Sequence, residues 1–221
     1  MSSVITEPGA ADTAPVEAPA QPIRFGVAWL AGLLILGLLL GAGGTYFAFH
    51  TAARPGDASA EAGFLRDMSD HHAQAVEMSM IAHAASTDPT IISLSADIAT
   101  MQQGQIGTMQ AWLRDWGLSP TRTQPAMSWM PGGAASVQNG LMPGMATPAE
   151  IDKLRQATAP AVDLQFLTLM RAHHLGGLHM AQAILDQTDN KDITWLAQSM
   201  VTGQQSELNL IDDLLKKKQA S

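Results

Sequence analysis

The chain predicts an all-helical fold in which one apolar N-terminal helix precedes a four-helix bundle made of two similar helical hairpins. Three observations carry this expectation. Aromatic residues are only 5% of the sequence while 13 Met are present, a composition that suits helices better than sheets. Residues 25 to 49 hold no formal charge. The sequence also repeats itself: a slide of 102 positions lays "FLRDMSDHHAQAVEM" (64–78) on "FLTLMRAHHLGGLHM" (166–180) without a gap.

Residues 1–22 are rich in Ala, Pro, Glu and Thr and show no apolar periodicity, so they read as a disordered tail. The segment 23–50 reads as a transmembrane helix. At 1.5 Å per residue its uncharged part would reach roughly 37 Å, enough to cross a ~30 Å hydrocarbon core. A cleaved signal peptide is the competing reading, because Thr51-Ala52-Ala53 offers a small-x-small site. The apolar run exceeds the roughly 7 to 15 residues of a signal core, so a single-pass anchor is the expectation, with a secreted protein if cleavage occurs. Arg24 and Arg54 flank the span evenly and leave its orientation open. Gly37 and Gly41 form a small-xxx-small pair through which a homo-oligomer could assemble.

After a linker at 51–59, residues 60–218 form the bundle domain, with repeats 60–117 and 160–218. In the first repeat a helix from about Ala60 to Ala85 stops at "STDPT", where Pro89 suits the first turn of a helix running to about Trp116. In the second, a helix from about Ala161 to Gln187 breaks at "TDNKD" and a last helix runs to about Lys218. Apolar stripes are expected at Ile98, Met101, Gln105, Met109 and Trp112, and at Met200, Gly203, Glu207, Ile211 and Leu214. Residues 118–147 are a Met/Gly/Pro-rich loop. It ends in Thr147-Pro148-Ala149-Glu150, a capping box that predicts a short helix from Pro148 to about Ala157.

A net charge of −8 argues against a nucleic-acid partner, since phosphate backbones are held by clustered Lys and Arg. The basic run Lys216 to Lys218 reads as a helix C-terminal cap. With no Cys, thiolate metal sites and cysteine nucleophiles are excluded.

The chemistry-bearing residues concentrate in the repeated helices. His71 and Met78 are seven apart and share a helix face, as do His173 and Met180. His72 shares a face with Met68 and His83, and His174 with Met170, while His179 adds a third imidazole to the second copy. Imidazole and thioether offered together, without thiolate, fit Cu(I) or Cu(II), with silver as a mimic; zinc, calcium and magnesium prefer other donors. The bland readings stay open. Met is a common gap-filler of helical cores, and an inward His is often a hydrogen-bonded core residue. Met127, Met130, Met142 and Met145 of the loop either capture Cu(I) or fold back on the bundle. Glu207 and Gln105 could orient a His from behind. A di-iron enzyme would need Glu-x-x-His motifs, and none occurs, so an enzyme is not expected.

At "FLRDMSDHHAQAVEMSMIAH", "QQGQIGTMQAWL", "MPGMATPAEIDKLR" and "FLTLMRAHHLGGLHMAQAIL", over about residues 60 to 216, the sequence resembles the bacterial family known as domain of unknown function 305. The resemblance implies a ferritin-like four-helix bundle and an extracytoplasmic location. It also implies copper as the ion for His71, His72, His173, His174 and the nearby Met residues, in buffering, transfer or resistance. His179 departs from the family pattern, which more often has an acid or a small residue there. The alternative function is a non-metal helical module that docks a membrane or envelope partner.

Overall fold

The computed structural model describes residues 26–50 and 54–219, the side chains of 47–50 and 219 excepted. The tail expected over residues 1–22 lies outside the described residues. Two compact units divide at residues 52 and 53, and each is described by itself. The first contains helix α1, Val27–His50, within which Val27–Tyr46 is long and apolar enough to cross a membrane.

The second unit is all-helical. Its elements are α2 (Ala60–Ala85), α3 (Pro89–Asp115), α4 (Pro148–Gln156), α5 (Ala161–Leu185) and α6 (Lys191–Gln219), with one 3-10 turn at Gly133–Ser136. Local chemistry sets the starts of three helices. Ser59 accepts from the Ala62 amide to open α2, and Asp88 accepts from the Thr90 amide to open α3 with Pro89 at its first turn. At α4, Thr147 and Glu150 close the reciprocal capping box that the sequence announces. The close pairings are α2 along α3, α5 along α6, and α2 against α5, with α4 laid over α2 and α5. Two hairpins thus form a helical bundle joined through α2 and α5.

The buried stripes differ by one register from those expected. On α3 the core side is Ile91, Leu94, Ile98, Gln102, Ile106, Met109 and Leu113. Met101 is exposed, and Gln105 and Trp112 are only partly covered. On α6 the core takes Met200, Gln204, Leu208, Ile211 and Leu214, while Gly203 and Glu207 sit at its edge. The reason is packing direction: α3 turns its stripe toward α2 and α6 toward α5, so residues on the α3 and α6 flanks stay open.

Buried polar contacts fasten the ends and the loop. Ser86 donates to Asp163 at 2.6 Å and Thr188 donates to Glu61 at 2.7 Å, two bonds between the hairpins that exchange under the 102-residue shift. Lys218 donates to Asp88 and to buried Asp163, both at 2.9 Å, so it pins the end of the bundle in addition to capping a helix. Asp67, buried in α2, accepts from the Met127 amide (2.7 Å), the Trp129 indole (2.9 Å) and Arg122 (3.0 Å). Gln74 exchanges two hydrogen bonds with the Ala146 backbone, at 2.9 and 2.7 Å. The long loop is therefore tied down along α2.

Candidate functional site

The bundle core is divided in two. One apolar cluster contains Met68, Met109, Met180 and Met200, and the other contains Met78, Ile98, Met170 and Ile211. Between them in chain position, on all four long helices, fall polar residues: His71 and His72 on α2, Gln102 and Gln105 on α3, His173 and His174 on α5, Gln204 and Glu207 on α6. All four imidazoles are buried, with His72 and His174 at 0% exposure.

The rings of His71 and His173 meet across the α2/α5 contact, centroids 3.8 Å apart and planes tilted by 36°. The other two imidazoles turn outward within the layer. His72 Nε2 lies 2.7 Å from Gln105 Oε1, and His174 Nε2 lies 2.6 Å from Glu207 Oε2. His71 Nε2 lies 3.2 Å from the carbonyl oxygen of Pro143 in the loop. That carbonyl arrives because two glycines let backbone meet backbone. A Cβ at Gly176 would stand 1.9 Å from Pro143 O, and one at Gly144, which is in the left-handed region at φ +80°, would stand 2.3 Å from Ala172 O.

These partners fix the tautomers. Carbonyl and carboxylate oxygens only accept, so Nε2 of His71, His72 and His174 carries a hydrogen and donates, and in a neutral ring Nδ1 is then a bare lone pair. Nδ1 of His72, Nδ1 of His174 and Nε2 of His173 are buried and have no hydrogen-bond partner. Gln102 Oε1 and Gln204 Nε2 in the same layer are likewise unpartnered. Leaving a buried polar atom unpaired costs roughly 1–3 kcal/mol, so such a cluster is expensive unless something binds to it.

Burial keeps three of the rings in their uncharged form. Burial, opposed by the Pro143 carbonyl, lowers the pKa of His71 to about 4. Burial, reinforced by neighbouring His71, lowers that of His72 to about 3. Burial and the facing His71 push His173 well below its ordinary value. At neutral pH these three imidazoles are neutral, the form in which they can ligate a metal.

The structure therefore brings together His71, His72, His173 and His174 in one layer and places Met68, Met78, Met170 and Met180, all buried, in the clusters on either side. It does not bring in His83 or His179. Both face solvent. His83 lies eleven residues beyond His72, about 16 Å farther along the helix, where Nδ1 is paired at 3.1 Å with the Ile92 carbonyl. His179 is six residues past His173, a turn and two-thirds on, which points it away from the bundle. Of the loop Met residues, Met127, Met130 and Met142 are buried against the first cluster, with Met145 packed beside them, so they fold back on the bundle. Among the described residues no three His, Asp or Glu side chains converge into a ready-made cation cage. The signal that could have found Gln102 and Gln204 is that the 102-residue shift lays one on the other, whereas the Pro143 carbonyl has no signal in the sequence.

The model of the family described as Domain of unknown function (DUF305) matches residues 61–215, and a DUF305 protein from Streptomyces coelicolor, provisionally described as secreted, is 41% identical. The chain belongs to the DUF305 family. That Streptomyces crystal structure superposes with a TM-score of 0.67, covering 73% of this chain and 95% of its own. A DUF305 fragment from Deinococcus radiodurans is 30% identical at a TM-score of 0.60, with 72% of this chain and 96% of that one covered. CopM in its Cu(I)-bound form is 21% identical at a TM-score of 0.56, with 72% and 96% covered, and this is a likeness of fold. CopM has also been solved in Cu(II)-bound and Ag-bound forms. No curated protein matches the chain. The match over 61–215 takes in the whole His layer of this DUF305 chain and leaves α1 outside it.

Proposed function

We propose that this DUF305 chain is an extracytoplasmic copper-binding protein that buffers or passes on the ion at the membrane surface. The observation that carries the reading is the set of buried imidazole nitrogens without partners, held by carbonyl and carboxylate acceptors in the tautomers that present a lone pair. A ring nitrogen hydrogen-bonded from behind by an oxygen acceptor is the usual arrangement of a metal-ligating His. Flanking thioethers from Met68, Met78, Met170 and Met180 make the set soft, which favours copper over zinc. CopM, bound to Cu(I), Cu(II) and Ag on a similar fold, supports the choice of ion. His71, His72, His173 and His174 are the ligands we assign, with the four Met residues as thioether donors.

Helix α1 and the Streptomyces relative, provisionally described as secreted, support an extracytoplasmic location. We read α1 as an uncleaved anchor that leaves residues 54–219 outside the cytoplasm. Membrane fractionation with intact-mass measurement checks this. A mature chain that starts near residue 54 and leaves the membrane would make the protein secreted instead.

Metal binding is tested by titrating the detergent-solubilised full chain with Cu(I) against a chromophoric chelator. The double variant H72A/H174A should bind at least about tenfold more weakly, a loss of about 1.4 kcal/mol. Equal affinity in the two proteins would overturn the reading and leave the layer as a packing device.

A further inference from the structure

The two outward-turned imidazoles of the layer are related by the 102-residue shift, yet the groups behind them differ in charge. His72 is backed by the neutral amide of Gln105, and His174 by the carboxylate of Glu207. We propose that this difference in charge makes the two halves of the layer unequal, with the His174/Glu207 half selecting Cu(II) and the His72/Gln105 half selecting Cu(I). The inference rests on the copper reading and deepens it.

By chain position the donors themselves are the same. Each half offers Nδ1 of one imidazole, buried and without a partner. Each has a buried Met four residues earlier on the same helix, Met68 before His72 and Met170 before His174. What distinguishes the halves stands behind the ring. A hydrogen bond to a carboxylate is about twice as strong as one to a neutral acceptor and makes the ring a stronger base at its other nitrogen. The negative charge also attracts a divalent ion twice as strongly as a monovalent one at the same separation. Solvent does little to screen this, because the His174 side chain is 0% exposed and Glu207 only 11%. Behind His72 the amide adds no net charge, so the soft thioether and imidazole decide, and they favour Cu(I).

The experiment isolates each half in the detergent-solubilised full chain. H72A leaves the His174/Glu207 half, and H174A leaves the His72/Gln105 half. Cu(I) affinity is measured by chelator competition under anaerobic reduction, and Cu(II) affinity by competition together with the electron paramagnetic resonance spectrum. On the H72A background, adding E207Q should weaken Cu(II) about tenfold more than Cu(I). On the H174A background, adding Q105E should shift the ratio the opposite way, toward Cu(II). Circular dichroism confirms folding, and if E207Q fails to fold, the reciprocal Q105E decides the matter alone. Equal factors for the two oxidation states in the variant that folds overturn the proposal while the copper reading stands. Wild-type protein that takes up neither ion overturns both.

Discussion

His71 and His173 face each other across the two hairpins with ring centroids 3.8 Å apart, and burial drives both imidazoles neutral. Protonating either would put a charge in the core beside its neighbour, which burial makes costly. The contact that joins the hairpins is thus also the point at which acid attacks the fold.

The pH dependence has a definite sign. In the unfolded chain these His residues titrate near the ordinary 6.5, whereas in the fold His71 is held to about 4 and His72 to about 3. Below 6.5 the unfolded chain binds protons that the folded one refuses, so stability is full above that pH and falls as pH drops toward 4 and 3. Each pH unit in this window should cost about 1.4 kcal/mol per His that stays neutral in the fold. Urea midpoints measured from pH 8 to pH 4 should fall steeply below 6.5. The triple variant with His71→Gln, His72→Gln and His173→Gln should flatten that slope, and an unchanged slope would show that other groups carry it.

Met68, Met78, Met170 and Met180 are fully buried. Replacing all four by Leu nearly preserves volume and should cost less than about 1.5 kcal/mol at each site. If their sulfur atoms serve only as packing, Cu(I) affinity will follow the small stability change. The copper reading predicts a loss of about tenfold or more in affinity, measured by the same chelator competition, while thermal unfolding stays cooperative.

The fold was legible because its signals are local and redundant. The Thr147 capping box, Pro89 at a first turn, breaks at "STDPT" and "TDNKD", and the repeated His-His pair each act within a few residues, and α2 ends just before the "STDPT" break. The site was legible in part. His71, His72, His173 and His174 are paired and mid-helix, so their burial follows from the stripe they sit on. The register of α3 was missed because Met101 and Gln105 continue an apolar-looking stripe as well as Gln102 and Ile106 do, and only the tilt toward α2 separates them. His83 and His179 were grouped with the others by residue type, although axial distance and helical phase separate them. Pro143 acts through a backbone carbonyl, which no side-chain pattern reveals.

Asp67 tests the tie between loop and bundle. Asp67→Ala would leave the Met127 amide and the Trp129 indole without their acceptor and Arg122 without one of its two carboxylate partners. The expected cost is about 2–4 kcal/mol by denaturant unfolding, since each buried donor left unpaired costs roughly 1–3 kcal/mol. Loop residues 119–130 should lose amide protection from hydrogen exchange before the four long helices do. Uniform loss across the whole bundle would mean that the loop is integral to the core.

Gly176 and Gly144 make a sharper test, because their glycine character follows from one close approach. A side chain at Gly176 would press on the Pro143 carbonyl, and one at Gly144 would press on Ala172 and also hold a left-handed backbone. Gly176→Ala should destabilise by about 1–3 kcal/mol through overpacking, and Gly144→Ala by about 1–2 kcal/mol more for its backbone conformation. Gly107→Ala, on an exposed face of α3 with no neighbour within 4 Å, should instead stabilise by about 0.5–1 kcal/mol, because Ala is the better helix former. Displacing Pro143 also takes the acceptor from His71 Nε2. Nitrogen NMR of the His71 ring should therefore show a mixture of tautomers in Gly176→Ala and a single Nε2-protonated form in the wild type. A single form in both proteins would mean that something other than the Pro143 carbonyl orients this imidazole.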